Sequence, residues 1–321
     1  MRQTRRQSGK SDIMMALPCI RFLGTRQSPI TRTLSERLER TGLWNIFNPS
    51  IVATVGGVAM TFRAGRWPGE RPFRAYYLPP HDGAPIDLTA AFTAKGVAVV
   101  SDPKLFTLGE EIWVTFNTGH TDKPNRIFAA QLHPALSAPC ELHVSGRQAI
   151  EKNWALFRRN GVLHALYSVH PIIVLRALDC RLSGRIEFER LGADVKKHPA
   201  APGNLTLGSQ LAALDGDGND FAAIVHSKFY WRKRRTYLGL PARIRFDREA
   251  CRIAIGRSYL AHSPGALLGD RVRHNPNLQS CTYFSGVIVS DDRAILGYGI
   301  NDVAAGFAEI PLSVLGFDAG T

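Results

Sequence analysis

The sequence predicts an all-β chain, a single five-bladed β-propeller with a short N-terminal extension. Three observations predict it. First, the polar clusters Asn48-Pro49-Ser50, Ser101-Asp102-Pro103-Lys104 and Glu151-Lys152-Asn153-Trp154 recur about 50 residues apart, each at the start of a β-like run. Second, five stretches repeat one pattern: a polar lead-in, an apolar strand, a polar turn, and a second apolar strand ending in an aromatic residue or a histidine. Third, amphipathic helical periodicity is nearly absent. In a propeller of this repeat length, polar ends at equivalent points converge on one central pocket.

Taken in order, residues 1–30 form a basic tail expected to be disordered, with Arg2, Arg5, Arg6 and Lys10 near its start, and residues 31–321 form the propeller. One helix is expected over Thr33–Thr41, where Leu34, Leu38 and Leu43 make an apolar stripe and Ser35 is a candidate cap. The five hairpins turn at Gly56-Gly57, Gly109-Glu110-Glu111, Arg159-Asn160-Gly161, Asp215 to Asn219, and Ser290-Asp291-Asp292. Asn160-Gly161 favours the tight primed turns of hairpins. Arg126 to Leu132, Ile186 to Arg190, Arg243 to Asp247 and Gly306 to Leu315 fit outer strands. Leu43 to Phe47 and Ile310 to Leu315 are the candidates for closing the ring.

At 321 residues the chain is long enough for a sizeable core, and no stretch has the length and apolarity of a membrane span. The formal charge of +13 admits an anionic partner, but no nucleic-acid motif accompanies it, so a basic surface is the simpler account and nucleic acid is not the expected partner. Part of the excess is the run Arg232-Lys233-Arg234-Arg235, which follows Phe229-Tyr230-Trp231 and reads as a charged hairpin tip or a sugar-stacking edge. Cys19, Cys140, Cys180, Cys251 and Cys281 are odd in number and widely spaced, which fits neither a disulfide framework nor a zinc site and points to a reducing, cytoplasmic setting. Asp215-Gly216-Asp217-Gly218-Asn219-Asp220 resembles the start of a calcium loop. Its twelfth position is His226 rather than Glu, so no metal and no cofactor are assigned.

The repeat brings an acidic residue from neighbouring blades to one place, and paired carboxylates in a pocket suit glycosidic-bond chemistry. The lettering resembles the five-bladed propeller superfamily of glycoside-processing enzymes, within it the family of β-mannoside phosphorylases and β-1,2-mannosidases. Ser101-Asp102-Pro103-Lys104 resembles that family's Glu-Asp-Pro-Arg motif, and Lys152-Asn153 its Lys-Asn segment. His226, followed by Arg235-Thr236-Tyr237, resembles its Tyr-His…Tyr-Arg blade. Ile255-Gly256-Arg257-Ser258 resembles the edge segment that follows, and Tyr298-Gly299-Ile300-Asn301-Asp302 the Tyr-Gly-Ala-Ala-Asp motif. The likeness runs from about Asn48 to Leu315.

The resemblance implies an inverting single displacement on β-linked sugars, mannosides above all. Asp102 would be the general acid, with a pKa raised by burial among like charges. Asp302 would hold substrate hydroxyls, His226 would sit at the inner end of its blade, and Lys152 matches a phosphate-binding position. Asn153 and Tyr237 belong to the same segments, and Tyr167 is a candidate stacking platform. The departures argue against phosphorolysis. Ser101 replaces the Glu, Lys104 replaces the Arg and loses its bidentate fork, and Tyr167-Ser168 stands where the phosphorylases have His-Arg. Arg63, Lys104 and Lys152 could still form a basic pocket for phosphate. The first-blade position, an Asp in related hydrolases, is Asn48, so Glu151 is the candidate base. The expected partner is an oligosaccharide or glycoconjugate. The alternatives are a non-catalytic glycan-binding propeller, and a phosphorylase or transferase using phosphate or a sugar acceptor.

Overall fold

The computed structural model describes residues 19–24, 27–81, 83–121, 123–178, 184–192, 204–231, 233–247, 250–269 and 275–315. The chain is mostly strand. After β1 (Ile20–Phe22) and helix α1 (Pro29–Glu39) come β2 (Trp44–Thr54), β3 (Gly57–Gly65), β4 (Arg74–Leu78) and β5 (Ile86–Asp87), an antiparallel sheet in that order. A short helix α2 (Leu88–Thr93) leads to a second meander, β6 (Ser101–Leu108), β7 (Glu111–Asn117), β8 (Ile127–His133) and β9 (Cys140–Val144). The third is β10 (Ala155–Arg159), β11 (Val162–Val169), β12 (Ile172–Ala177) and β13 (Arg185–Arg190). Parallel pairing of β9 with β13 makes these two one continuous sheet.

The remaining strands form a third sheet. In it, β14 (Asn204–Leu207) and β15 (Ala212–Ala213) both pair with β16 (Asp220–Trp231), which pairs along its whole length with β17 (Arg234–Asp247), backed by β18 (Ala250–Ile255). Then come β19 (Tyr259–Ala261), helix α3 (Gly265–Leu268), and the meander β20 (Leu278–Ser290), β21 (Arg293–Ile300) and β22 (Ala304–Pro311).

The hairpins form where alternation and turn chemistry coincide. At Asn160-Gly161 both residues have positive φ, 50° and 76°, as the primed turn requires. Two leading strands share a further device. The β2–β3 register slips between Phe47 and Ser50, and the β6–β7 register slips between Ser101 and Lys104. Each slip contains a residue of positive φ followed by proline, Asn48-Pro49 and Asp102-Pro103. A bulge leaves one residue out of the ladder and re-aims its side chain, so both polar side chains come off their strands at equivalent points.

Successive meanders pack face to face. Leu88 and Phe92 meet Leu105, Val114 and Phe116; Ala155 and Phe157 meet Phe221 and Ile244; Ile224 meets Phe284 and Leu296. The last meander packs on the first, with Ile288 and Phe307 against Leu34, Ile51 and Phe62. Ring closure is therefore side-by-side packing rather than a ladder between the first and last strands. The Ser285 hydroxyl donates to the Pro49 carbonyl at 3.0 Å, and Gly286 leaves no room for a Cβ against the Ile51 backbone.

Several local expectations are corrected. The helix begins at Pro29, not Thr33: Ser28 caps it by accepting from the Thr31 N–H, and proline suits the first helical turn. Within the segment expected to be a tail, Ile20–Phe22 adds a parallel strand beside Tyr259–Ala261. Residues 1–18, including the Arg-rich start, lie outside the described residues, as do Cys180 and Arg232. Arg243–Asp247 is not a separate outer strand but the end of the 14-residue β17. No described helix is long and apolar enough to cross a membrane.

Candidate active site

A cavity of about 350 Å³ opens among the inner ends of these meanders, bounded by Lys152, Tyr167, His226, Lys228, Arg235 and Tyr283. Beside it sit Asp102 and Asp302. Lys152 Nζ reaches Asp102 Oδ2 at 3.3 Å, and an Arg63 guanidinium nitrogen lies 3.7 Å from Oδ1. Burial alone would raise the Asp102 pKa, but the charges of Lys152, Arg63 and Lys104 outweigh it and hold the carboxyl well below the usual carboxylate range. The sequence led to the opposite expectation, a carboxyl raised by like-charged neighbours; its neighbours are cations.

Asp302 has the raised pKa instead. Burial raises it first and the Asp102 charge adds to this, while the charges of Arg63 and Lys152 and a hydrogen bond from the Asn48 side chain only partly offset them. Asn48 is placed by its bulge, with φ 53°, against Gly299, where any Cβ would collide with the Asn48 side chain. The Tyr-Gly pair before Asp302 is thus a close approach between β21 and β2. Asp302 itself has φ 58°, in the short turn between β21 and β22.

Lys104, expected to face substrate, is 1% exposed. Its ammonium donates to the Gly208 carbonyl and lies 5.2 Å from the centre of the Tyr283 ring. Burial lowers its pKa to about 7, with Lys152 adding to the effect and Asp102 opposing it. The inner strand β6 points this side chain into the packing between meanders, where it is a strut rather than a ligand. His226 is a second strut: its Nε2 accepts from the Phe284 N–H at 2.9 Å, and burial keeps the ring neutral by lowering its pKa well below 6.5.

Glu151 is also buried; its Oε1 is hydrogen-bonded, while its Oε2 accepts no hydrogen bond among the described residues. Oε1 accepts from the Tyr167 hydroxyl at 2.5 Å and from the Gln148 N–H at 3.0 Å, and Arg147 Nε lies 3.4 Å from Oε2. Its backbone is clamped by the Asn125 side chain on both N–H and carbonyl. This set orients Tyr167, whose hydroxyl is pushed up to about 12 by burial and then by Glu151. Asn153, with φ 60°, donates to the Leu207 carbonyl at 2.7 Å and hydrogen-bonds the Tyr283 hydroxyl. Tyr237 lines the cavity beside Lys228.

The structure therefore gathers Asn48, Arg63, Asp102, Lys152 and Asp302 at one corner and Asn153, Tyr167 and Tyr237 along the cavity. Several lining residues were missed, Arg235, Tyr283, Lys228 and His120 among them. Tyr283 immediately precedes the hairpin as read from the sequence, which started at Phe284. Lys228 follows His226 by two residues, so strand alternation alone puts both on one face. His120, in the loop after β7, left no pattern.

No family model matches the chain, and no curated protein matches it in sequence. Solved structures do match in fold. A β-1,2-mannobiose phosphorylase from Listeria innocua, solved with β-1,2-mannobiose, is 11% identical, over 85% of this chain and 91% of that one, with a TM-score of 0.55. A protein of the GH130 family of mannoside phosphorylases, which contains glycoside hydrolases targeting β-1,2-mannosidic linkages in Candida mannan, is 12% identical over 84% of both chains, with a TM-score of 0.52. A glycosyl hydrolase from Bacteroides ovatus is 12% identical over 84% of both chains, with a TM-score of 0.50. The chain shares the overall fold of these solved structures. At these identities the likeness carries the fold, and the chemistry rests on the site.

Proposed function

We propose that the protein is a carbohydrate-processing enzyme, a five-bladed propeller that cleaves or transfers β-linked sugars, mannosides above all, by inverting single displacement. The observation that carries this is the pair of carboxylates beside one pocket, with opposed surroundings. When neighbours drive two titratable groups apart, the acid and base roles divide between them. Asp302, held toward its protonated form, is the proton donor to the departing glycosidic oxygen. Asp102, held ionised by Lys152 and Arg63, faces the positive charge that develops on the sugar ring and takes the proton of the attacking hydroxyl. That hydroxyl becomes acidic only as its bond to the anomeric carbon forms, so a weakly basic carboxylate serves an oxocarbenium-like transition state.

This reading reverses the role that the resemblance implies for Asp102 and gives the base role to Asp102 instead of Glu151, whose Oε1 is held by Tyr167 and Gln148 with Arg147 3.4 Å from Oε2. Hydrolysis or transfer to a sugar is favoured over phosphorolysis, since Lys104 is spent on Gly208. We place the protein in the cytoplasm on the free thiols of Cys19, Cys140, Cys251 and Cys281.

The test is product release from a panel of β-mannosides and other β-linked oligosaccharides, with and without phosphate, for the native chain, Asp102→Asn and Asp302→Asn. Free sugar released by the native chain and lost in both variants is the expected result. Sugar 1-phosphate formed only with phosphate would overturn the choice of acceptor. Retained sugar binding with no turnover on any substrate would leave a glycan-binding propeller, the reading that the amide of Asn48 in place of a carboxylate favours.

A further inference from the structure

The long β16–β17 hairpin gives the cavity a wall whose charge the carboxylates beside it do not answer. In the ladder His226 lies opposite Gly239, Lys228 opposite Tyr237, and Tyr230 opposite Arg235. Alternation places these on one face, running from the buried end at His226 outward toward the hairpin tip. Lys228 Nζ stands 5.8 Å from the centre of the Tyr237 ring, and the Arg235 guanidinium carbon stands 5.9 Å from the same ring. Arg235 also donates to the Tyr237 hydroxyl at 3.3 Å. Two cations thus flank one tyrosine. Lys152 and His120 border the same cavity.

Lys152 has Asp102 as its counter-ion. Among the described residues no carboxylate forms an ion pair with Lys228 or Arg235. Both are half-buried rather than extended into solvent. The Lys228 pKa is pushed down by burial and then by the charges of Lys152 and Arg235, and His120 is pushed down by burial and by Lys152, Arg235 and Lys228. Like charges held together away from water cost free energy that an oxyanion between them would relieve. A solvated charged face would not gather them around one ring.

We propose that the cavity takes a sugar bearing an anionic substituent, a carboxylate or a phosphate or sulfate ester, held by Lys228 and Arg235 across Tyr237. The guanidinium offers a fork that matches two oxygens of such a group, and the ammonium offers a point charge. Tyr237 supplies a ring face to the sugar. Because these residues lie farther out along the hairpin than His226, the substituent points away from Asp102 and Asp302 while the reacting carbon faces them. The inference rests on the carbohydrate reading of the pocket and adds a substrate class to it: acidic glycosides.

Calorimetric titration at fixed ionic strength tests it, with mannuronate, mannose 6-phosphate, mannose and inorganic phosphate as probes. The proteins are the native chain, Lys228→Gln, Arg235→Gln and Arg235→Lys, each checked by thermal melting. The native chain should bind the two acidic sugars on the order of tenfold more tightly than mannose, the scale of hydrogen bonds to charged groups. Each Gln variant should remove that ratio and Arg235→Lys should restore part of it. An equal affinity for mannose, or a ratio unchanged in the Gln variants, would overturn the proposal. So would inorganic phosphate alone binding as tightly with the same dependence on Lys228 and Arg235, which would assign the site to a free phosphate. Acidic sugars bound in this way without turnover of any glycoside would sustain the subsite and sink the enzymatic reading. Neutral mannosides turned over with a flat ratio would do the reverse.

Discussion

Asp102 and Asp302 are the same side chain beside the same pocket, both on left-handed backbone, with φ 49° and 58°, yet their surroundings are opposite. Asp102 has two cations within 3.3 and 3.7 Å. Asp302 has burial, a like charge, and the neutral amide of Asn48. The difference shows that counter-ions, not the more recognisable motif, decide which carboxylate is held ionised. It also gives the two residues stability effects of opposite sign. Asp102, with a lowered folded pKa, contributes stability above its ordinary value of 3.8 that is lost as pH falls. Asp302, with a raised folded pKa, contributes stability below 3.8 that is lost as pH rises through its folded value, so its ionised form is a cost near neutrality.

The largest expected effect is on turnover. Asp102→Asn and Asp302→Asn should each reduce kcat by about 10²- to 10⁴-fold, the usual share of a positioned proton-transfer group. Asparagine tolerates left-handed backbone, so both changes isolate charge. Stability then separates them. Asp102→Asn strands the charges of Lys152 and Arg63 and should cost about 1–3 kcal/mol in urea denaturation. Asp302→Asn should gain about 1 kcal/mol, the usual size of a stabilising change at a strained functional site.

Lys104 sharpens the contrast, because burial disfavours its charge and Asp102 only partly offsets this. Its folded pKa of about 7 lies below the ordinary 10.5, so its contribution to stability grows as pH rises from 7 to 10.5, with a slope of at most about 1.4 kcal/mol per pH unit for one proton. Lys104→Met should flatten that rise in denaturation curves measured across this range. The smallest effect is expected from Asn48→Asp, which sets a second carboxylate beside Asp302. It should move the alkaline limb of the kcat–pH profile upward by about one pH unit. An upward move of the acid limb instead, with the alkaline limb unmoved, would mean that Asp302 acts as an anion.

Much of the fold was legible. Turns such as Asn160-Gly161 and Gly109-Glu110 sit between short apolar runs, and such local chemistry survives any tertiary context. The bulges at Asn48-Pro49 and Asp102-Pro103 left their mark as the repeat of about 50 residues. The helix start was legible too, since Ser28-Pro29 is a capping signal, but the apolar stripe over Leu34 and Leu38 drew attention inward. Side-chain direction at the ring axis was not legible. Lys104 after a proline reads as exposed, and only the packing of β6 against the Gly208 segment buries it. Arg235 was hidden in the charged run at 232–235, because the register of the β16–β17 hairpin decides which of those residues faces the cavity beside Lys228.

The central claim is that the pocket holds Asp102 as the anion and Asp302 as the proton carrier. Urea denaturation of the native chain, Asp102→Asn and Asp302→Asn side by side at pH 7 tests it most directly. The account predicts a loss of stability for Asp102→Asn and a gain, or no loss, for Asp302→Asn. Equal losses, or the reverse order, would contradict it.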